Sequence, residues 1–177
     1  MHAMITDILL TQAIKEAFPV SPMPRSFFQS EEDSASLLEL PSDLRGRVMG
    51  KKWHEVTHDD WAWLGGLSHF RDYMTTEAYI YYVPSVLLDS IHSNYFQHGV
   101  EVVLPDNQQH MPRGEWWKDF VGSLNGKQKE AIRLFLQRVR ALATNDPSSL
   151  FWAEHGLSII WPESSRPSPS SNNSPRP

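Results

Sequence analysis

The chain contains no cysteine among its 177 residues, which excludes disulfides, thiol nucleophiles and thiolate metal ligands. Positive charge is also scarce, since 16 Lys and Arg stand against 21 Asp and Glu for a net charge of −5. This balance argues against the basic surface of a general nucleic-acid-binding protein. No apolar run is long enough to span a membrane, and none follows a basic leader as in a signal peptide. We therefore expect a cytoplasmic protein with no nucleic-acid partner and no membrane partner.

Recognisable catalytic fingerprints are missing as well. The sequence has no G-x-S-x-G turn, no P-loop and no dinucleotide-binding glycine motif. Its length fits one domain with a substantial core, and its 40% hydrophobic residues are ordinary for a globular protein. Residues 162–177 hold five Pro and six Ser without an apolar side chain, a composition typical of disorder. We predict a single helical domain over 1–161 and a disordered tail over 162–177.

The segment from Thr75 to Ile91 is the predicted centre of the core. Its apolar and aromatic residues cover nearly the whole circumference of a helix, so the helix must be buried on several sides. Thr75 or Thr76 is placed to cap the first turn, and Pro84 favours a kink in the middle. The three tyrosines of this helix, at 79, 81 and 82, belong either to the core or to the wall of a ligand pocket.

The flanking segments are also mostly helical in pattern. Residues 5–18 show an amphipathic repeat with Leu9 on the apolar side, and Asn125 with Gln128 resembles a capping box that opens a helix to about residue 143. Residues 100–104 are the only stretch with strand character, and we expect an extended connector there because a lone strand has no partner. The predicted fold class is mainly α, a compact helical bundle with long loops and little or no sheet.

Charge is distributed unevenly along the chain. Residues 31–60 carry eight acidic and four basic groups, whereas residues 113–140 carry seven basic and three acidic groups. The two regions either attract each other within the fold or provide a docking surface.

One string suggests metal chemistry. His54-Glu55-Val56-Thr57-His58 fits the H-E-x-x-H pattern, which on a helix places two imidazoles one turn apart as zinc ligands. In this alternative Glu55 is the general base of a zinc-dependent hydrolase, and Glu77 supplies a third ligand beside His54 and His58.

The surroundings of the motif argue against this alternative. Gly50 closely precedes it, Val56 is β-branched, and Thr57 followed by two acidic residues resembles a helix start. If the helix begins at Thr57, His54 lies outside it and the two imidazoles need not converge. We therefore expect no catalytic residue and no cofactor, and we place zinc second.

Two further motifs carry a resemblance to a known family. The central helix fits T-x-E-A-[FY]-x-Y-Y-x-P-x-x-L, and residues 128–136 fit a later Q-x-x-A-I-x-x-F-L helix. Together with Trp53 and Val56, they resemble a family of small uncharacterised bacterial proteins, a domain of unknown function, over roughly residues 35–143. The resemblance implies a mostly α-helical domain and brings no established activity. Its pattern does not include the His54/His58 pair, which further weakens the zinc alternative.

These observations favour a bacterial protein that works by binding another protein. Small acidic chains without visible chemistry are often immunity proteins that occlude a toxin, and an acidic surface suits a toxin with a basic surface. The candidate binding residues are Trp61 and Trp63 beside Asp59 and Asp60, because the core is already crowded with rings. The sequence does not indicate an oligomeric state.

Overall fold

The computed structural model describes residues 6–30, 44, 46–104 and 114–160. Seven α-helices lie in these ranges: α1 (Asp7–Ala17), α2 (His58–Trp63), α3 (Thr76–Ser93), α4 (Phe96–Val103), α5 (Gly114–Ser123), α6 (Gly126–Leu142) and α7 (Pro147–His155). Single 3-10 turns cover Trp53–Glu55 and Leu67–Phe70, and a π-helical turn covers Gly156–Ile160. Within the described ranges the only sheet-like pairing is an isolated bridge between Phe28 and Met74. The prediction of a mainly α single domain is confirmed.

Helix α3 lies at the centre of this domain, as its sequence predicts. Thr75 is the N-cap residue, and most of the helix is buried. Each of its three tyrosine hydroxyls donates a hydrogen bond to a backbone carbonyl: Tyr79 to Val102 at 3.0 Å, Tyr81 to Val20 at 3.0 Å and Tyr82 to Val48 at 3.1 Å. Because their polar ends are satisfied by the backbone, the tyrosines serve as core residues that connect α3 to its surroundings.

Helix α4 packs closely against α3, and Gly99 lies at the contact. A Cβ on Gly99 would meet the Ser90 hydroxyl of α3 and would lie 2.5 Å from Cζ of Phe135 on α6. Three helices therefore approach one another at this position because the residue has no side chain.

The extended connector predicted over 100–104 is wrong, because Val100 and Val103 belong to helix α4. Phe96, Val100 and Val103 are spaced by four and three residues and are all buried, so they form one helical face. Burial against α3 outweighs the weak strand preference of the valines.

Helices α6 and α1 both form, but only α6 matches its predicted details. The capping box of Asn125 and Gln128 is present, with both hydrogen bonds at 2.9 and 3.0 Å. Helix α1 also forms, but Leu9 points outward and the buried face is Leu10, Ile14 and Ala17. The i, i+4, i+7 spacing of these three residues gives a continuous stripe, which Leu9 does not share.

Several sequence predictions lie outside the described residues. They concern residues 31–43 of the acidic region 31–60 and the tail at 162–177. Among the helices that are described, none is long and apolar enough to cross a membrane.

Candidate functional site

Helix α2 and the turn before it contain the residues singled out by the sequence, except for Glu77 on α3. Thr57 is the N-cap residue of α2, and its hydroxyl accepts a hydrogen bond from the Asp60 backbone N–H. Asp60 completes the capping box, since its Oδ2 accepts from the Thr57 backbone N–H at 2.9 Å. The predicted helix start at Thr57 is confirmed, and it separates the H-E-x-x-H string into two parts.

The first part of the string lies in the 3-10 turn before α2. His54 is exposed there, and Glu55 Oε2 accepts a hydrogen bond from the Lys52 backbone N–H at 2.7 Å. Glu55 therefore closes a turn, and the single helix that would align His54 with His58 does not exist. Glu77 is exposed in the first turn of α3, where the helix dipole favours a negative charge.

His58 makes a contact that the motif does not predict. Its Nδ1 lies 2.6 Å from Oδ2 of Asp89 on α3, and its ring stacks on His98 at a centroid distance of 6.0 Å. In the described part of the chain, no three His, Asp or Glu side chains are grouped closely enough to hold a metal ion. H-E-x-x-H zinc sites need both histidines one turn apart on a single helix. His54 and His58 lie in two different elements, so they do not have this arrangement.

The pair of His58 and Asp89 has the orientation of a general base with its supporting carboxylate. The cavity beside it has a volume of about 10 Å³, which is close to the space needed by a single water molecule. Trp61, Ser68 and Val86 line the same cavity. We interpret the pair as a link between α2 and α3, because it joins a side chain of each helix beside a cavity of about the size of one water molecule.

The two candidate tryptophans of α2 have opposite environments. Trp61 is only 3% exposed, and its Nε1–H donates to Ser85 Oγ of α3 at 2.9 Å. The expectation that Trp61 is available for binding is therefore incorrect for this fold, because its ring fills the space between α2 and α3. Trp63 is 66% exposed.

An arginine covers the ring of Trp63. Arg47 Cζ lies 5.0 Å from the ring centroid, within the range of a cation–π interaction. Asp59 lies one turn before Trp63 on the same side of α2 and is exposed. Ala62, which directly precedes Trp63, is exposed as well. We call Arg47, Asp59, Ala62 and Trp63 the α2 face.

Asp60 differs from Asp59 in being 8% exposed. Its Oδ1 lies 3.6 Å from Lys51 Nζ and 3.8 Å from a terminal guanidinium nitrogen of Arg47. Burial is the largest single influence on the Asp60 pKa and raises it. The hydrogen bonds from Thr57 and the charges of Lys51 and Arg47 together outweigh burial, so the pKa lies below its ordinary value of 3.8. Asp60 is thus a helix-capping residue whose charge is compensated locally.

Replacing Asp60 by Asn is expected to lower the free energy of unfolding by about 1 kcal/mol at pH 7, because the capping box is weakened. A carboxyl with a lowered native pKa stabilises the fold above its unfolded pKa, and this contribution is lost as pH falls through the native value. The difference between wild type and Asp60→Asn should therefore shrink below about pH 4. Urea unfolding at pH 7 and pH 3 measures both effects.

The exposed neighbour provides the control for this prediction. Asp59→Asn should change the free energy of unfolding by no more than about 0.5 kcal/mol, since an exposed charge in the first turn interacts weakly with the helix dipole. Equal losses for the two variants at pH 7 would contradict the capping role of Asp60.

Comparisons with protein-family models, with curated proteins and with solved structures gave no match. The resemblance of the central helix to the bacterial family stays a prediction. Sequence reasoning did not identify Arg47 or Asp89 as contributors, because their contacts to Trp63 and His58 join positions far apart in the chain. The function is therefore inferred from the geometry of this chain.

Proposed function

We propose that the chain is a non-enzymatic, cytoplasmic protein-binding domain that docks a partner protein through the α2 face. The observation that carries the proposal is the exposed indole of Trp63, held beneath the guanidinium of Arg47. Trp and Arg are the residue types most often found as energetic anchors of protein interfaces. Here they form one stacked pair, whereas Trp53 and Trp61 are buried in the core.

The rigidity of α2 supports the same proposal. A six-residue helix is too short to be stable alone. The capping box of Thr57 and Asp60, the Trp61–Ser85 hydrogen bond and the His58 contact to α3 all fix its position. A side chain presented from a fixed element loses little conformational entropy on binding, so Trp63 is preorganised for docking.

The charges of the α2 face and of the whole chain indicate what kind of partner to expect. Asp60 contributes little negative potential because Lys51 and Arg47 compensate its charge, so Asp59 is the acidic residue of the α2 face that faces solvent. The net charge of −5 still attracts a basic partner over longer distances. This combination fits an immunity protein of a bacterium that occludes a toxin with a basic surface, with Trp63 as the anchor and Asp59 in the rim.

The experiment begins with co-purification from the native host at low salt, followed by measurement of the affinity for the captured protein. Trp63→Ala should weaken binding at least about 30-fold, since an anchor contributes 2 kcal/mol or more. Phe151→Ala is the matched control, because Phe151 is a 55% exposed aromatic on α7, outside the α2 face. Affinities unchanged by Trp63→Ala, or equally reduced by both variants, would contradict docking through the α2 face.

Two further measurements address the kind of partner. Asp59→Asn should lower the association rate, and the difference from wild type should vanish as salt rises. If the captured protein is a toxin, its expression should arrest cell growth, and co-expression of the wild-type chain should restore it. Trp63→Ala should fail to restore growth. A captured protein that leaves growth unaffected would refute the immunity role while leaving the docking face intact.

A further inference from the structure

A buried arginine lies between α2 and α3 in the chain. Arg71 directly follows the turn Leu67–Phe70 and is 1% exposed. Its Nε–H donates to the Tyr79 hydroxyl at 3.1 Å, and that hydroxyl in turn donates to the Val102 carbonyl at 3.0 Å. The guanidinium is therefore held in one orientation by α3 and α4.

The other N–H donors of this group have no acceptor among the described residues. Within the part of the chain that the structure describes, Arg71 Nη1, Arg71 Nη2 and Trp116 Nε1 are buried and make no hydrogen bond. The two side chains are adjacent, since Arg71 Cζ lies 5.2 Å from the centroid of the Trp116 ring. The group thus contains a full positive charge and N–H donors that all require an acceptor.

The surrounding rings do not compensate this charge. Tyr79 and Trp116 lie at cation–π distance from the guanidinium, at 6.0 and 5.2 Å. Such contacts are individually weak compared with the loss of hydration of a buried ion. Buried charges are normally paired, so a donor cluster without an acceptor indicates a group that the chain itself does not supply in the described residues.

We propose that Arg71 and Trp116 form a binding site for a small oxyanion, either a carboxylate or a phosphate. The two terminal nitrogens of a guanidinium match two oxygens of such an anion, and the indole N–H supplies a third hydrogen bond. Tyr79 and Phe120 form the apolar walls, since both rings pack against Trp116 at centroid distances of 4.9 and 5.2 Å. The Trp116 side chain is only half-buried whereas Arg71 is 1% exposed, so the anion approaches the guanidinium from the Trp116 side.

Thermal unfolding tests the site with two probes, sodium phosphate and sodium acetate, at constant ionic strength set with sodium chloride. A ligand at 100 times its Kd should raise the Tm of the wild-type chain by about 5–11 °C. A rise with acetate alone identifies a carboxylate site, and a rise with phosphate alone identifies a phosphate site. Tryptophan emission should change over the same concentration range, because the anion contacts Trp116.

Three variants separate specific binding from general salt effects. Arg71→Met replaces the charged side chain by an unbranched apolar one. The anion-dependent rise in Tm should therefore disappear. Trp116→Phe removes the indole N–H but keeps a ring, and we expect a 5- to 10-fold weaker affinity, about 1 kcal/mol for one hydrogen bond. Arg140→Met is the control, since Arg140 is exposed on α6 and its loss should leave the response unchanged.

The outcomes discriminate clearly. A rise in Tm that is equal in wild type and Arg71→Met reflects exclusion of the salt from the protein surface and would overturn the proposal. The absence of any rise with either probe would also overturn it, and Arg71 would then be a structural cation. If Arg71→Met does not fold, Trp116→Phe decides, because an affinity equal to that of the wild type would refute the site. None of these variants lies in the α2 face, so this test and that of partner docking can fail independently.

Discussion

Replacing Trp61 by Ala is expected to lower the free energy of unfolding by about 4 kcal/mol, because a buried indole is removed and a cavity remains between α2 and α3. For a chain of this length the Tm should fall by roughly 8–16 °C. The substitution also removes the hydrogen bond to Ser85, although Ser85 Oγ still donates to the Tyr82 carbonyl at 2.6 Å. Urea unfolding followed by circular dichroism measures the change.

The same substitution two positions later is the matched comparison. Trp63→Ala should change the free energy of unfolding by less than about 1 kcal/mol, since an exposed side chain contributes little to stability. The affinity for the partner should show the opposite order, with a larger loss in Trp63→Ala than in Trp61→Ala. Comparable losses of stability at both positions would mean that Trp63 is a core residue and would remove the basis for the α2 face.

Replacing Gly99 by Val is expected to destabilise the fold by about 3 kcal/mol, because the new side chain meets Ser90 and Phe135 at the contact of three helices. The neighbours belong to α3 and α6, so the backbone of α4 would have to move away from the core. The Tm should fall by roughly 6–12 °C, measured by thermal unfolding.

Gly122→Ala provides the control for this prediction. Gly122 lies inside α5, and a Cβ added there would meet no atom within 4 Å. The free energy of unfolding of this variant should be unchanged or higher by up to about 1 kcal/mol, because alanine is more favourable than glycine inside a helix. If Gly99→Val is as harmless as Gly122→Ala, α4 is not held against α3 in the way the structure indicates.

Local chemistry explains what the sequence predicts correctly. Thr57 and Asn125 begin helices because a cap needs only a side-chain oxygen and the next three residues, all of which are visible in the sequence. The all-round apolar character of α3 likewise requires burial whatever packs against it. The sequence does not predict the helix of the α4 valines, because strand preference and helical burial compete and only the neighbouring helices decide between them.

The candidate site was less predictable because its contacts join distant positions. Trp61 and Trp63 are chemically identical in the sequence, and their different roles depend on which side of a six-residue helix faces α3. His58 lies 31 residues from its partner Asp89. Arg71 looks like an ordinary charged residue, and only the folded structure shows that its terminal nitrogens have no acceptor among the described residues.

The attachment of α2 to α3 has a consequence for how the proposed docking through the α2 face can be redirected to another partner. The inward residues of α2 are constrained by the core, because Trp61 bonds to Ser85 and Asp60 completes the capping box. The outward residues Asp59, Ala62 and Trp63 are exposed and do not pack into the core, although Arg47 covers the ring of Trp63. Libraries that randomise these three positions should therefore yield mostly folded variants, and a new target can be selected on an unchanged scaffold.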